Sequence, residues 1–61
     1  MKILRLKQVI ETTGLARSTI YKYISDGTFV KPIKLNGRNS GWLEHEVVSW
    51  IQARVDARDA V

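Results

Sequence analysis

Apolar side chains recur at Leu6, Val9 and Ile10, and Thr13 completes the i, i+3, i+4, i+7 spacing of one helix face. Lys7, Gln8, Glu11 and Thr12 take the opposite, wetted face. Gly14 ends this helix, because glycine accepts the left-handed backbone that a C-terminal cap requires. Only Leu15 and Ala16 separate that stop from a second periodic segment. There Ile20, Tyr23 and Ile24 form an apolar stripe, with Leu15 packing ahead of them. Arg17, Ser18, Tyr21, Lys22 and Ser25 form the polar, positively charged stripe opposite. Asp26-Gly27 closes the helix; an acid opposes the macrodipole there, so Asp26 is read as a turn residue beside Gly27. Two short helices across a tight glycine turn make a helix-turn-helix.

The rhythm changes after Thr28. Lys31-Pro32 forbids further helix, since proline restricts the residue before it. Ile33-Lys34-Leu35 alternates like a strand, Asn36-Gly37 is a strong hairpin signal, and Ser40-Gly41-Trp42-Leu43 can return as the partner strand. A third helix is expected from about Glu44 to Arg54, with Arg58 as its outer limit. Glu44 and Glu46 suit its positive end, and Arg54 and Arg58 its negative end. Val47, Trp50, Ile51 and Arg54 share one face, and Val48, Ile51 and Val55 the adjoining one, an arc wide enough to pack on both hairpin and helices. Ile3 and Leu4 either open a short strand or lead in, and the tail from Asp56 to Val61 is expected to fray. The order of elements predicts an α+β fold, mostly α: a winged helix-turn-helix of three helices, with a β-hairpin wing between the second and third.

Composition narrows what such a fold does. A chain of 61 residues holds one domain, expected over 1–61. At that size only about 60% of the unfolded surface is buried, which predicts marginal stability. With no cysteine, neither a disulfide nor a thiolate metal site can reinforce it. No apolar run approaches the ~18 residues of a membrane span. Met1-Lys2-Ile3-Leu4-Arg5 meets charge too early for a signal peptide, so a soluble, cytoplasmic protein is expected. Ten Lys and Arg stand against six Asp and Glu, for a net charge of +4. The distribution matters more than the sum. From Leu15 to Gly41 the chain carries Arg17, Lys22, Lys31, Lys34 and Arg38 against the single acid Asp26, while Glu44, Glu46, Asp56 and Asp59 lie behind. Positive charge concentrated on the second helix and the hairpin that follows is an electrostatic footprint compatible with nucleic-acid binding.

The second helix therefore becomes the candidate reader of double-stranded DNA. Arginine donates paired hydrogen bonds to guanine, serine reaches bases or phosphates, and tyrosine bonds phosphate or stacks. Arg17 at the helix start would enter the groove first, and an exposed Tyr21 among basic neighbours is more than solubility requires. Lys34, Arg38 and Asn39 flank the hairpin turn, where they can hold the backbone or reach the minor groove. Charge on an edge hairpin also guards against aggregation, and for Lys34 the two roles weigh equally. Tyr23, Trp42 and Trp50 fall at inward positions and are assigned to the core. Glu44-His45-Glu46 makes a poor metal site, because consecutive helical residues diverge. His45 is the sole histidine, and no nucleophile with a base and orienter, nor a glycine-rich phosphate loop, can be assembled. No enzyme activity, cofactor, metal or small-molecule ligand is expected, and no membrane partner.

Four blocks of the chain closely resemble the AlpA family of phage and prophage regulators, which are related to MerR-type winged helices and to excisionases. They are Leu6-Lys7-Gln8-Val9, Thr13 through Tyr21, Phe29 through Leu35, and Gly41-Trp42-Leu43-Glu44. The resemblance runs from about Leu6 to Ile51 and implies a winged helix, sequence-specific DNA binding, and control of mobile-element genes such as an integrase. It implies a bacterial or phage protein that associates with the nucleoid when bound. It places the recognition helix on Arg17, Ser18, Thr19, Tyr21 and Lys22 and the wing arginine on Arg38. Ala16 departs from the pattern, standing where family members usually carry the serine that caps this helix. An alternative role on the same fold is a recombination directionality factor that binds and bends attachment-site DNA. Self-association or cooperative assembly on DNA stays open, as do the operator and the sign of regulation.

Overall fold

Thr13 fixes the corner between the first two helices. Its hydroxyl donates to the Val9 carbonyl at 2.8 Å and accepts the Leu15 N–H at 3.2 Å, and so ties the end of one helix to the start of the linker. The computed structural model describes residues 1–60. Along them run β1 (Ile3–Leu4), α1 (Leu6–Thr13), α2 (Arg17–Asp26), β2 (Ile33–Asn36), β3 (Asn39–Leu43) and α3 (Glu44–Asp59). This is the expected winged helix-turn-helix, mostly helical with a small antiparallel sheet. Gly14 follows α1 with φ +74° and donates its N–H to the Ile10 carbonyl. Gly27 closes α2 with φ +79°: its N–H goes to Ile24 O and that of Thr28 to Tyr23 O, the paired bonds of a Schellman cap. Asp26 is thus the last helical residue before a cap that glycine makes.

The hairpin forms between the expected segments, but its tip is shifted by one residue. Ile33 pairs with Gly41, Lys34 with Ser40 and Asn36 with Asn39, so the two loop residues are Gly37 and Arg38 rather than Asn36 and Gly37. An irregularity between Lys34 and Asn36, at Leu35, accounts for the slip. Gly37 has φ +41° and Arg38 does not lie in the left-handed region, so the loop needs glycine only at its first position. Ile3 and Leu4 do form a strand, paired with Leu43 and Trp42 across β3. The sheet order β1-β3-β2 leaves β2 at an edge, exposed along its length with Lys34 between Ile33 and Leu35. A charged residue there discourages strand addition.

Leu4, Val9, Ile20, Phe29, Trp42 and Val47 form the core, drawing on both strands of the β1–β3 pair and on all three helices. Leu6, Ile10, Leu15, Tyr23, Ile24, Trp50 and Ile51 pack around it, as their spacing predicts. Trp42 is 2% exposed and donates its indole N–H to Val30 O at 3.2 Å; Trp50, half-buried, donates to Thr28 O at 2.7 Å. These bonds hold the segment that carries the chain from α2 to β2. Val48 departs from the reading of α3: it is 52% exposed, so the second apolar face is only partly covered. The helix continues to Asp59, well into the segment for which fraying is expected, and the Ala60 N–H reaches Asp56 O. Val61 lies outside the described residues.

Candidate nucleic-acid interface

The polar stripe of α2 reaches the surface as its spacing predicts. Arg17, Ser18, Tyr21, Lys22 and Ser25 are exposed, whereas Ile20 is fully buried and Tyr23 and Ile24 pack on the core. Thr19, brought in by family resemblance, is half-buried on the margin of the stripe, next to the core residues. Tyr21 is 51% exposed and lies one turn beyond Arg17 on the same face. Ala16 occupies the N-cap position in an extended conformation (φ −72°, ψ 156°) and supplies no side-chain acceptor to the first turn. The amide groups at the start of α2 therefore have no partner from a capping side chain.

The wing residues divide. Lys34 is exposed at mid-strand, opposite Ser40. Arg38 stands at the second loop position, where the turn projects it from the tip. Asn39 is not idle: its Oδ1 accepts from the Arg5 guanidinium at 3.1 Å, and its Nδ2 donates to Asn36 Oδ1 at 2.7 Å. Both functional ends of this carboxamide serve to fix the wing, one across the tip and one to the segment ahead of α1.

Between α1, α2 and the wing lies an open cleft of about 310 Å³. Arg5, Lys7, Tyr21, Arg38 and Ser40 bring polar groups to its walls, with Trp42 among the apolar lining. Tyr21 and Arg38, assigned separately to the helix and the wing, thus meet around one space. Among the described residues no carboxylate lines it. Among the described residues the ion pairs are Lys2 with Glu44 and Arg58 with Asp59, so Arg5, Lys7 and Arg38 keep their charge uncompensated by a salt bridge. Such a set of donors suits an anion. Arg5 and Lys7 are additions to the residues picked from sequence. A signal for them exists: Lys2, Arg5 and Lys7 precede the first acid, Glu11, in the chain.

A helix-turn-helix followed by a hairpin whose returning strand β3 packs on α1 and α3 defines a winged helix-turn-helix protein. More narrowly, the chain belongs to the family of the prophage CP4-57 regulatory protein AlpA, whose family model matches residues 2–55. It is 40% identical to the uncharacterized protein ORF88 of Enterobacteria phage P4, over 93% of this chain and 65% of that protein. It is also 40% identical to the DNA-binding transcriptional activator AlpA of Escherichia coli (strain K12), over 88% of this chain and 86% of that protein. The chain therefore spans just under two thirds of the length of the phage relative and most of that of the bacterial one. The family expected from the four sequence blocks is the one found, and it is a family of regulatory proteins, not an enzyme class.

Proposed function

We propose that this protein is a sequence-specific double-stranded DNA-binding regulator of transcription in a prophage or related mobile element, with genes such as an integrase among its targets. The observation that carries the reading is the meeting of the exposed α2 stripe and the wing, through Tyr21 and Arg38, around one cationic, carboxylate-free cleft. In this reading α2 lies in the major groove. Arg17 reads a guanine edge, while Ser18, Tyr21 and Lys22 contact neighbouring bases and phosphates. Thr19 supports the helix from its half-buried margin. Arg38 and Lys34 hold the backbone on the wing side, and Asn39 acts by orienting the wing through Arg5. The name of the Escherichia coli relative, a DNA-binding transcriptional activator, supports this assignment.

The test is a footprint on the DNA flanking the gene, joined to a reporter for the same promoter. A protected duplex site with altered promoter output supports the proposal. Protection confined to an attachment site, with excision changed and transcription unchanged, replaces it with the directionality-factor role. Absence of any protected duplex refutes both.

A further inference from the structure

We propose that the cleft between α1, α2 and the wing is a clasp for a single backbone phosphodiester, with Lys7 as a ligand that neither the recognition helix nor the wing supplies. This inference rests on the DNA-binding reading and adds a third element to it. When α2 occupies a major groove and the wing lies against the flanking backbone, the intervening strand must pass over the space between Tyr21 and Arg38. That space is the cleft. Its walls carry Arg5, Lys7 and Arg38 with no carboxylate among them, and the hydroxyls of Tyr21 and Ser40 add neutral donors.

The arrangement matches the chemistry of a phosphodiester. The Arg5 guanidinium spends one bond on Asn39 and keeps its remaining N–H groups available. An arginine held in place by such a bond offers fixed, directional donors, whereas Lys7 supplies a mobile point charge. Leu6 and Trp42 give the cleft an apolar side against which sugar carbons can lie. Lys7 is exposed on α1, apart from the core, so its removal leaves packing intact. A phosphate contact carries no base information, which sets the expected signature.

The experiment measures affinity for a footprinted site and for a scrambled duplex across a salt series, using the full chain, Lys7→Ala, Lys7→Arg and Arg58→Ala. Arg58 lies in the last turn of α3, outside the cleft, and its replacement makes the same charge change. Loss of one phosphate contact lowers the slope of log K against log salt by about 0.9. The expected result is that drop in Lys7→Ala on both duplexes, a several-fold weaker affinity at fixed salt with specificity kept, and recovery in Lys7→Arg. A steep slope in the unaltered protein that Lys7→Ala leaves unchanged overturns the clasp while the DNA-binding reading stands. An equal drop in Arg58→Ala also overturns it, since overall charge would then explain the effect. If the unaltered protein binds neither duplex at any salt, the DNA-binding reading falls and the clasp with it.

Discussion

The guanidinium of Arg5 and the carboxamide of Asn39 are joined at 3.1 Å across 34 positions of sequence. Arg5 immediately precedes α1, and Asn39 begins the outgoing strand of the wing. Because Asn39 also bonds Asn36 at 2.7 Å, both strands of the wing are referred to the entrance of the first helix. The bonds are exposed and therefore add little to stability. Their effect is geometric: they set where Arg38 stands relative to α2.

Arg5→Ala and Asn39→Ala should show a small but measurable coupling of about 0.5–1 kcal/mol in a double-mutant cycle read by urea unfolding. Both single variants should weaken DNA binding by more than that stability loss accounts for, Asn39→Ala because the wing tip is released and Arg5→Ala because a donor of the cleft is lost as well. Strictly additive stabilities and additive affinities would show that the two side chains do not act together in solution.

Ala16→Ser should stabilise the fold by up to about 1 kcal/mol. Ala16 already holds the extended conformation of an N-cap, and a serine Oγ there can accept from the amides of Ser18 or Thr19 without backbone change. For a domain this small, each kcal/mol raises Tm by roughly 4–8 °C. A melting temperature unchanged or lowered would show that another group already satisfies those amides.

Arg17→Ala should lose about 1–3 kcal/mol of binding at the selected site and much less on scrambled duplex. Arg38→Ala should weaken both by similar factors, as a backbone contact does. Affinities of each variant for the two duplexes at one fixed salt concentration provide the comparison. Equal specificity ratios for the two would demote Arg17 to a phosphate contact and pass base reading to Tyr21 or Ser18.

Gly41→Ala should destabilise the protein by about 1–3 kcal/mol through overpacking. A Cβ at this buried position would collide with Ile3 Cγ2 and crowd Leu35 Cδ1 and the Leu4 carbonyl. The Ile3 methyl is held by a β-branched side chain with little freedom to turn away. Thermal unfolding checks this, and Ile3→Val beside Gly41→Ala should leave the loss in place because the Cγ2 methyl persists. A fully stable Gly41→Ala would mean that β1 does not lie across β3 as closely as its register places it.

The helices were legible because each announces itself locally. Leu6, Val9, Ile10 and Thr13 mark one face of α1, Ile20, Tyr23 and Ile24 that of α2, and Gly14 and Gly27 the stops. The wing was legible in outline but not in register. Asn36-Gly37 is a strong local turn signal, yet the irregularity at Leu35 and the bond from Asn39 to Asn36 place Gly37-Arg38 at the tip. Those are pairing effects, and no local window contains them. The end of α3 was legible only as a range, Arg54 to Arg58, with fraying expected from Asp56; the helix runs to Asp59, where few core contacts demand those residues and no glycine or proline stops them. The α2 stripe could be read from spacing alone. The cleft could not, because Arg5 and Lys7 meet Arg38 only through the long-range packing of α1 beside the wing.

The two indoles that grip the Thr28–Val30 segment also give the protein an optical reporter at a useful place. Trp42, at 2% exposure and bonded to Val30 O, should emit at short wavelength. Trp50 stands edge-on to Phe29 with centroids 4.8 Å apart and has the Arg54 guanidinium 5.4 Å above its ring, so its emission carries a charged neighbour's imprint. With Trp50→Phe the remaining indole fluorescence, excited to the red of Tyr21 and Tyr23, comes from Trp42, which lines the cleft. Light from that one ring would then follow, without any attached dye, both the parting of wing from helices and the arrival of a DNA strand beside it.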